Sequence, residues 1–400
     1  MSDSAEAAPM GRRDLIWSYV IVIATITATG VMLGLTLPLL SLILDSKGMS
    51  ATFIGFSNAT PGLATFAVAP FIPAATKRFG TVTVMLVCVA ASVACFLLYL
   101  VITDPWAWFP IRFVHGAAHA VLFILSEFWV TVLAPPRIRG RVLGIYGTIL
   151  SSGFASGPFI LSLAGSEGAL PFLIGAGLMV VAGIPLLIAL GRAGPGLAPV
   201  IAEKPAKPLW GYLWLAPAAT LAAFVFGALE TGVFQLLPVY GLDKGLDVTD
   251  AALLLSIVGL GYMLMQFPLG FLADFVDKRL VLLGCGLAAF SGALVLPGLM
   301  TDPVWSWPVL FVWGGVMTGL YSVGIATLGD RFAPSDLIAA NALYITLYSA
   351  GSILGPVLSG IAMDLAPPDG LMWSFAAFAG AYVVIVGARI ALRSDGSAQG

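Results

Sequence analysis

The stretch GRAGPGLAPVIAEKPAKPLW, residues 191–210, interrupts an otherwise apolar chain of 400 residues. It is rich in Gly, Pro and Lys and has neither helical nor strand periodicity, so it reads as a surface linker. Six apolar runs precede it, at 15–44, 51–76, 81–102, 106–133, 141–164 and 168–191. Six follow, at 211–240, 250–273, 280–300, 304–329, 338–363 and 370–392. Each is long enough to cross about 30 Å of hydrocarbon as a helix. The expected fold is an all-α membrane protein with 12 transmembrane helices in two six-helix bundles, 1–190 and 211–400, joined by the linker.

Composition excludes the alternatives. Hydrophobic residues make up 60% of the chain and charged ones 10%, with a mean hydropathy of +1.02, whereas soluble chains carry about 25% charged residues. A net charge of −2 and the absence of a basic, aromatic-rich patch argue against a nucleic-acid partner. Cys88, Cys95 and Cys285 all lie in apolar runs and form no CxxC, so they read as small buried hydrophobes. The polar start MSDSAEAAPMGRRD leads into a run too long for a signal-peptide core, which is expected to remain as the first span.

Basic residues set the expected orientation. Of 18 Lys and Arg, 15 fall on the side of the termini and linker, in groups such as Arg12-Arg13, Lys77-Arg78, Arg137 to Arg141 and Lys278-Arg279. Lys47 and Lys244 fall on the other side, and Arg112 lies within a span. Both termini and the linker are therefore expected in the cytoplasm, with the protein in the cytoplasmic membrane.

The two halves repeat each other at an offset of 198 residues, as Thr103-Asp104-Pro105 does in Thr301-Asp302-Pro303. Gly153-x-x-x-Gly157-Pro158 recurs as Gly351-x-x-x-Gly355-Pro356, and Leu44-Asp45 as Leu242-Asp243. Such a repeat implies duplication, and a transporter built this way rocks its halves about a central site.

With Gly270-Phe-Leu-Ala-Asp274-Phe-Val-Asp277-Lys278-Arg279 between spans eight and nine, Arg112-x-x-x-Gly116 in span four and Gly153 to Pro158 in span five, the chain resembles the major facilitator superfamily. Glu127-Phe-Trp129 and Asn341…Tyr348…Met363-Asp364 look closest to a poorly characterised bacterial branch. The resemblance implies a cavity lined by the first, fourth, seventh and tenth spans. It also implies that Asp274 caps a neighbouring helix end and steadies one conformational state, and that the span-five motif belongs to antiport. The first-half loop departs from the pattern: Pro73-Ala-Ala-Thr-Lys77-Arg78 stands where a glycine and a carboxylate belong.

One apolar span is charged. RFVHGAAHAVLFILSEFW, residues 112–129, carries Arg112, His115, His119 and Glu127. At about 100° per residue all four, with Ser126, fall within roughly 120° of one face. A charge at the bilayer centre costs several kcal/mol, so that face is expected to look inward. The residues form a ladder in depth, with Arg112 nearest the non-cytoplasmic side and Glu127 nearest the cytoplasm. Glu230 in span seven falls at about the depth of Arg112 and His115, so a pair across the cavity is feasible. It reads either as a coupling carboxylate, neutral when protonated and paired when ionised, or as half of a static ion pair. Arg112 could bind a substrate carboxylate or phosphate, or bond backbone carbonyls in its own half. Glu127 reads as a gate or relay residue, or as a partner for Arg139 or Arg141. The histidines suit proton handling or a structural role; two such ligands alone make a poor metal site.

Thr25, Thr29, Asn58, Gln235, Trp313, Tyr321, Tyr344 and Tyr348 are further candidates for the cavity wall. Gly153, Gly157, Pro158, Gly270, Asp274, Lys278, Arg279, Gly351, Gly355 and Pro356 are candidates for packing and gating. No GxxxxGK[ST], catalytic triad pattern or EF-hand loop is present, so an ATP-driven pump or an enzyme is unsupported. The expectation is a monomeric secondary transporter without a bound cofactor, moving a small organic solute, amphipathic or anionic, by alternating access with proton coupling. Export by antiport is the first reading; proton-coupled uptake, an uncoupled facilitator or a lipid translocase remain open.

Overall fold

The computed structural model describes residues 12–134, 139–190, 217–331 and 334–397. The linker at 191–210 lies outside the described residues, as do the side chains of Arg139 and Arg141. The first half contains α1 (Arg12–Ser46), α2 (Ala51–Val68), α3 (Ile72–Phe79), α4 (Thr81–Val101), α5 (Trp108–Leu133), α6 (Arg139–Ala164) and α7 (Leu170–Leu190). The second contains α8 (Pro217–Asp243), α9 (Val248–Phe275), α10 (Lys278–Leu299), α11 (Pro303–Arg331), α12 (Pro334–Leu365) and α13 (Gly370–Ser397). Twelve spans are long and apolar enough to cross a membrane. The second joins α2 to α3 through a 3-10 turn at Ala69–Phe71, where Pro70 lacks the N–H that would continue the helix. Among the described residues there are helices and turns but no strands, as expected where lipid leaves the backbone only its own hydrogen bonds.

Apolar side chains lie inside and outside alike. Leu35, Phe96, Trp129 and Phe234 are fully buried, while Phe267 and Val101 face outward at 81% and 79% exposure. In water that surface would aggregate; against acyl chains it is matched.

The repeated glycines are seams within each half. A Cβ on Gly157 would lie 2.3 Å from the backbone of Gly34 and Leu35, and one on Gly30 2.5 Å from the Leu150 carbonyl. These hydrogens-only positions let α1 and α6 touch backbone to backbone. The second half repeats the contact between α8 and α12, where a Cβ on Gly351 would meet the Phe224 carbonyl at 2.0 Å and one on Gly355 the Ala228 carbonyl at 2.4 Å.

The halves meet along α2 with α12 and α6 with α9. The contacts fall in the part of the bundle away from the chain termini. Gly55 packs on Pro356, Gly360 on Ala51, and Gly259 on Ala155; Phe154 and Phe234 bring their rings to 4.2 Å. At the far end Asp364 of α12 accepts hydrogen bonds from the backbone N–H of Ala51 at 2.9 Å and of Thr52 at 2.8 Å, in the first turn of α2. A carboxylate of one half thus caps a helix of the other. Nearby, Lys244 pairs with Asp369 at 2.7 Å, and Lys47 donates to the Thr103 carbonyl. No comparable seam joins α5 to the second half. The halves are closed at the far end and apart beside α5 at the termini end.

The loop motif after α9 differs from its expected arrangement. Asp274 is exposed and, among the described residues, makes no hydrogen bond or ion pair. Asp277 caps α10 instead, accepting from the Arg279 N–H at 2.8 Å, and Lys278 pairs with Asp330 of α11 at 2.6 Å. Both contacts stay within the second half. Gly270 is likewise exposed, with open space where a Cβ would stand.

Gly157→Ala should therefore destabilise the folded protein, by about 1–3 kcal/mol from overpacking. Gly270→Ala should leave thermal stability equal or slightly raised, read for both variants by thermal unfolding in detergent. Asp364→Leu should remove about 1.5–3 kcal/mol from the far-end closure. A cysteine placed at Leu40 should then react faster with an impermeant thiol reagent applied from that end.

Candidate substrate cavity

Polar groups in an apolar bundle have to find partners among the helices or in a cavity between them. A cavity of about 230 Å³ lies between the halves. Its first-half wall carries Arg112, His115 and His119 from α5; its second-half wall carries Thr231 and Gln235 from α8 and Tyr348 from α12.

Arg112 is 2% exposed. Its guanidinium donates to Ser57 Oγ at 3.0 Å and to Asn58 Oδ1, both on α2. Asn58 in turn donates from Nδ2 to Ser41 Oγ of α1 at 3.0 Å. One side chain therefore ties α5 to α2 and, through Asn58, to α1. The guanidinium bonds side chains of its own half rather than backbone carbonyls, and among the described residues no carboxylate lies within ion-pair distance. Gly116 makes this possible: a Cβ there would lie 2.5 Å from the Pro61 Cα, so only glycine lets α5 approach α2 this closely.

His115 is buried, with Nε2 3.3 Å from Met32 Sδ and its ring edge-on to Phe96 at 4.9 Å. His119 keeps a buried Nδ1 without a partner. Among the described residues no three His, Cys, Asp or Glu side chains cluster as metal ligands would. Further along α5, Ser126 Oγ lies 2.9 Å from the Tyr146 hydroxyl of α6. Glu127 is exposed and outside the cavity wall. It interacts through space with Tyr146 and, across the halves, with Tyr321 of α11.

Glu230 does not pair with Arg112 or His115. Its Oε2 accepts from the Tyr348 hydroxyl at 2.6 Å, within the second half, and it interacts through space with Tyr262 and Tyr321. The reason is rotational. Thr231 and Gln235 occupy the face of α8 that lines the cavity, which turns Glu230 toward α12. Phe226, Tyr321, Tyr344 and Tyr348 form the aromatic surround, with Tyr321 and Tyr348 at 5.6 Å. Glu230, half-buried, is thus tied to Tyr348, which itself lines the cavity.

Of the other candidates, Asn58, Gln235 and Tyr348 line the cavity. Thr25, Thr29, Trp313, Tyr321 and Tyr344 do not. Trp313 donates to the Ala289 carbonyl at 2.9 Å and Tyr344 to the Tyr321 carbonyl at 2.7 Å, so both hold helices together. Thr25 and Thr29 are buried with unpartnered hydroxyls. The tenth span, α11, contributes nothing to this wall, whereas the second and eleventh do. Sequence reasoning missed Met32, Thr36, Tyr99 and Ser352 on the wall and Ser41 and Ser57 beneath Arg112. A search for hydroxyls on spans one and two at the depth of Arg112 would have found the last two.

The sequence matches the Major Facilitator Superfamily over residues 20–322 and 245–398. The chain belongs to the major facilitator superfamily. As an MFS transporter it is an integral membrane protein of a family that acts on small molecules within a membrane, and it is not an enzyme. It is 28% identical over 346 residues to the uncharacterized MFS-type transporter YfkF of Bacillus subtilis (strain 168), covering 86% of this chain and 88% of that one. In fold it resembles the nucleoside transporter NupG, with a TM-score of 0.70 at 18% identity over 94% of this chain and 98% of that one. It also resembles a bacterial homolog of the human lysosomal transporter Spinster in an inward-facing, unoccupied conformation, with a TM-score of 0.73 at 13% identity over 95% and 96% of the two chains.

Asn58→Ala should strip the Arg112 guanidinium of one of its two bonds and cost about 1.5–3 kcal/mol. Ser57→Ala should cost less, since it removes a smaller dipole, and the two are compared by unfolding midpoint.

Proposed function

We propose that this MFS transporter moves a small organic solute through the cavity between its halves by alternating access, coupled to protons through Glu230. The observation that carries this reading is the hydrogen bond of the half-buried Glu230 with Tyr348, a residue of the cavity wall. A carboxylate with no cationic partner is able to take up or release a proton without breaking an ion pair. As a carboxylate it holds the Tyr348 hydroxyl; once protonated it competes as a donor and frees that hydroxyl to turn toward the cavity. Proton occupancy and the shape of the wall are linked in this way.

Closure at the far end and separation at the termini end fit a state open to the cytoplasm, under the orientation that the basic residues favour. Asp274 makes no contact among the described residues, which fits a role in the opposite state, where the termini ends approach. We assign export in exchange for protons, from the resemblance of Gly153 to Pro158. The glycines themselves serve packing in both halves and are compatible with either direction. One chain holds the whole cavity, which supports a monomer as the working unit in the cytoplasmic membrane.

The test is flux in liposomes reconstituted with purified protein, over a panel of solutes, with and without an imposed pH gradient. Wild type should drive a solute uphill only when the gradient is present. Glu230→Gln should bring the accumulation ratio to unity while solute-for-solute exchange persists, and Tyr348→Phe should weaken coupling in the same direction. Gradient-independent flux in the wild type, or uphill transport by Glu230→Gln, would sink proton coupling and leave an uncoupled facilitator or lipid translocase.

A further inference from the structure

The cavity wall is charged with one sign only. That charge is the Arg112 guanidinium; the two imidazoles beside it carry no fixed charge, and no Asp or Glu is among the lining residues. Arg112 is 2% exposed, and its hydrogen-bond partners, Ser57 and Asn58, are neutral. The Tyr99 phenol on the same wall is neutral too. Glu230, the one nearby acid of the second half, is turned to Tyr348. The ion pairs found among the described residues, Lys244 with Asp369 and Lys278 with Asp330, lie elsewhere.

An arginine does not shed its proton in a protein, and a buried charge without a counter-charge costs several kcal/mol. Two neutral hydrogen bonds orient the guanidinium without cancelling its field. A cleft of one sign with low-dielectric walls concentrates ions of the other sign. The balancing charge is therefore one that enters the cavity. On the opposite wall Gln235 is buried, and its Oε1 has no donor among the described residues. Its acceptor suits a hydroxyl or N–H on the same ligand. The volume of about 230 Å³ exceeds that of a cavity of roughly 150 Å³ that takes up a benzene, room for one ring with an acidic head.

We propose that the solute is a small organic anion of about one ring in size, its carboxylate or equivalent head balancing Arg112 and a hydroxyl or N–H donor reaching Gln235 on the other half. This rests on the proposed transport through the same cavity, and it names the solute's class. A ligand held at both walls also bridges the halves, since Arg112 belongs to the first and Gln235 to the second. Binding thereby contributes to the contact that closes around it.

Three probes that differ in one substituent test it: 4-hydroxybenzoate, 4-hydroxybenzamide and 4-hydroxybenzylamine. Thr36, on the wall, is replaced by cysteine, and the full-length protein in detergent is labelled with a thiol reagent. The anion should slow labelling about tenfold when present at roughly ten times its dissociation constant, by mass action, and should raise the unfolding midpoint. The amide and the amine should do neither. Arg112→Gln should abolish the anion's effect and Arg112→Lys should keep part of it; the Thr36→Cys protection is read with Arg112 intact, so poor folding of the arginine variants leaves the test standing. Equal protection by the amide or amine overturns the anionic class while leaving the cavity as a solute site. No protection by any probe also overturns it. If, in addition, labelled Thr36→Cys retains full flux in liposomes, transport through this cavity fails as well.

Discussion

A guanidinium held inside a bilayer has to be bonded where it stands, and the first half is organised around that requirement. Arg112 draws α2 against α5 through Ser57 and Asn58, and Asn58 extends the hold to α1. The approach is close because Gly116 has no side chain to keep Pro61 away. Three helices take their relative positions from one charge and one missing methyl group. The cavity wall is what those helices leave between themselves and the second half.

The second half meets the same problem differently. Its half-buried acid, Glu230, is satisfied by a phenol rather than by a cation, and the tyrosines and Phe226 around it supply hydroxyls and ring edges. Duplication preserved the glycine seams, with Gly153 and Gly157 answered by Gly351 and Gly355, because backbone contact admits no substitute. It did not preserve the polar chemistry. One half contributes an arginine bonded to neutral side chains and the other an acid bonded to a phenol, so the pseudo-symmetric frame encloses an asymmetric site.

That division explains what was legible in the sequence. Twelve spans, two halves and the seam glycines follow from hydropathy and a 198-residue offset, and both signals survive because length in hydrocarbon and backbone contact are one-dimensional constraints. The polar stripe of α5 was also readable, since a helix has a fixed angle per residue. Which stripe faces which was not. Depth placed Glu230 level with Arg112, yet rotation about α8 turned it to Tyr348, and depth carries no information on rotation. Asp274 shows a second limit: a motif residue acts in one conformation, and a sequence does not say which conformation is present. Thr25 and Thr29 lie on a correctly chosen helix but on its buried side.

The capping of α2 by Asp364 has a bearing on the energy balance of the two gates. At the far end the α2 N-terminus also has its own Ser50, whose hydroxyl accepts from the Phe53 N–H at 3.2 Å. When the halves part, the Ala51 and Thr52 N–H groups and the carboxylate pass to water rather than to lipid, and Ser50 remains in place. Water takes over most of these bonds, so what is lost is the net gain of a charge-assisted cap, about 1.5–3 kcal/mol. A joint made of dry apolar surface would resist opening in proportion to its area. Here the two kinds sit side by side: Phe154 against Phe234 and Gly55 against Pro356 are dry, whereas the capped end of α2 is a joint whose groups water can satisfy once it opens.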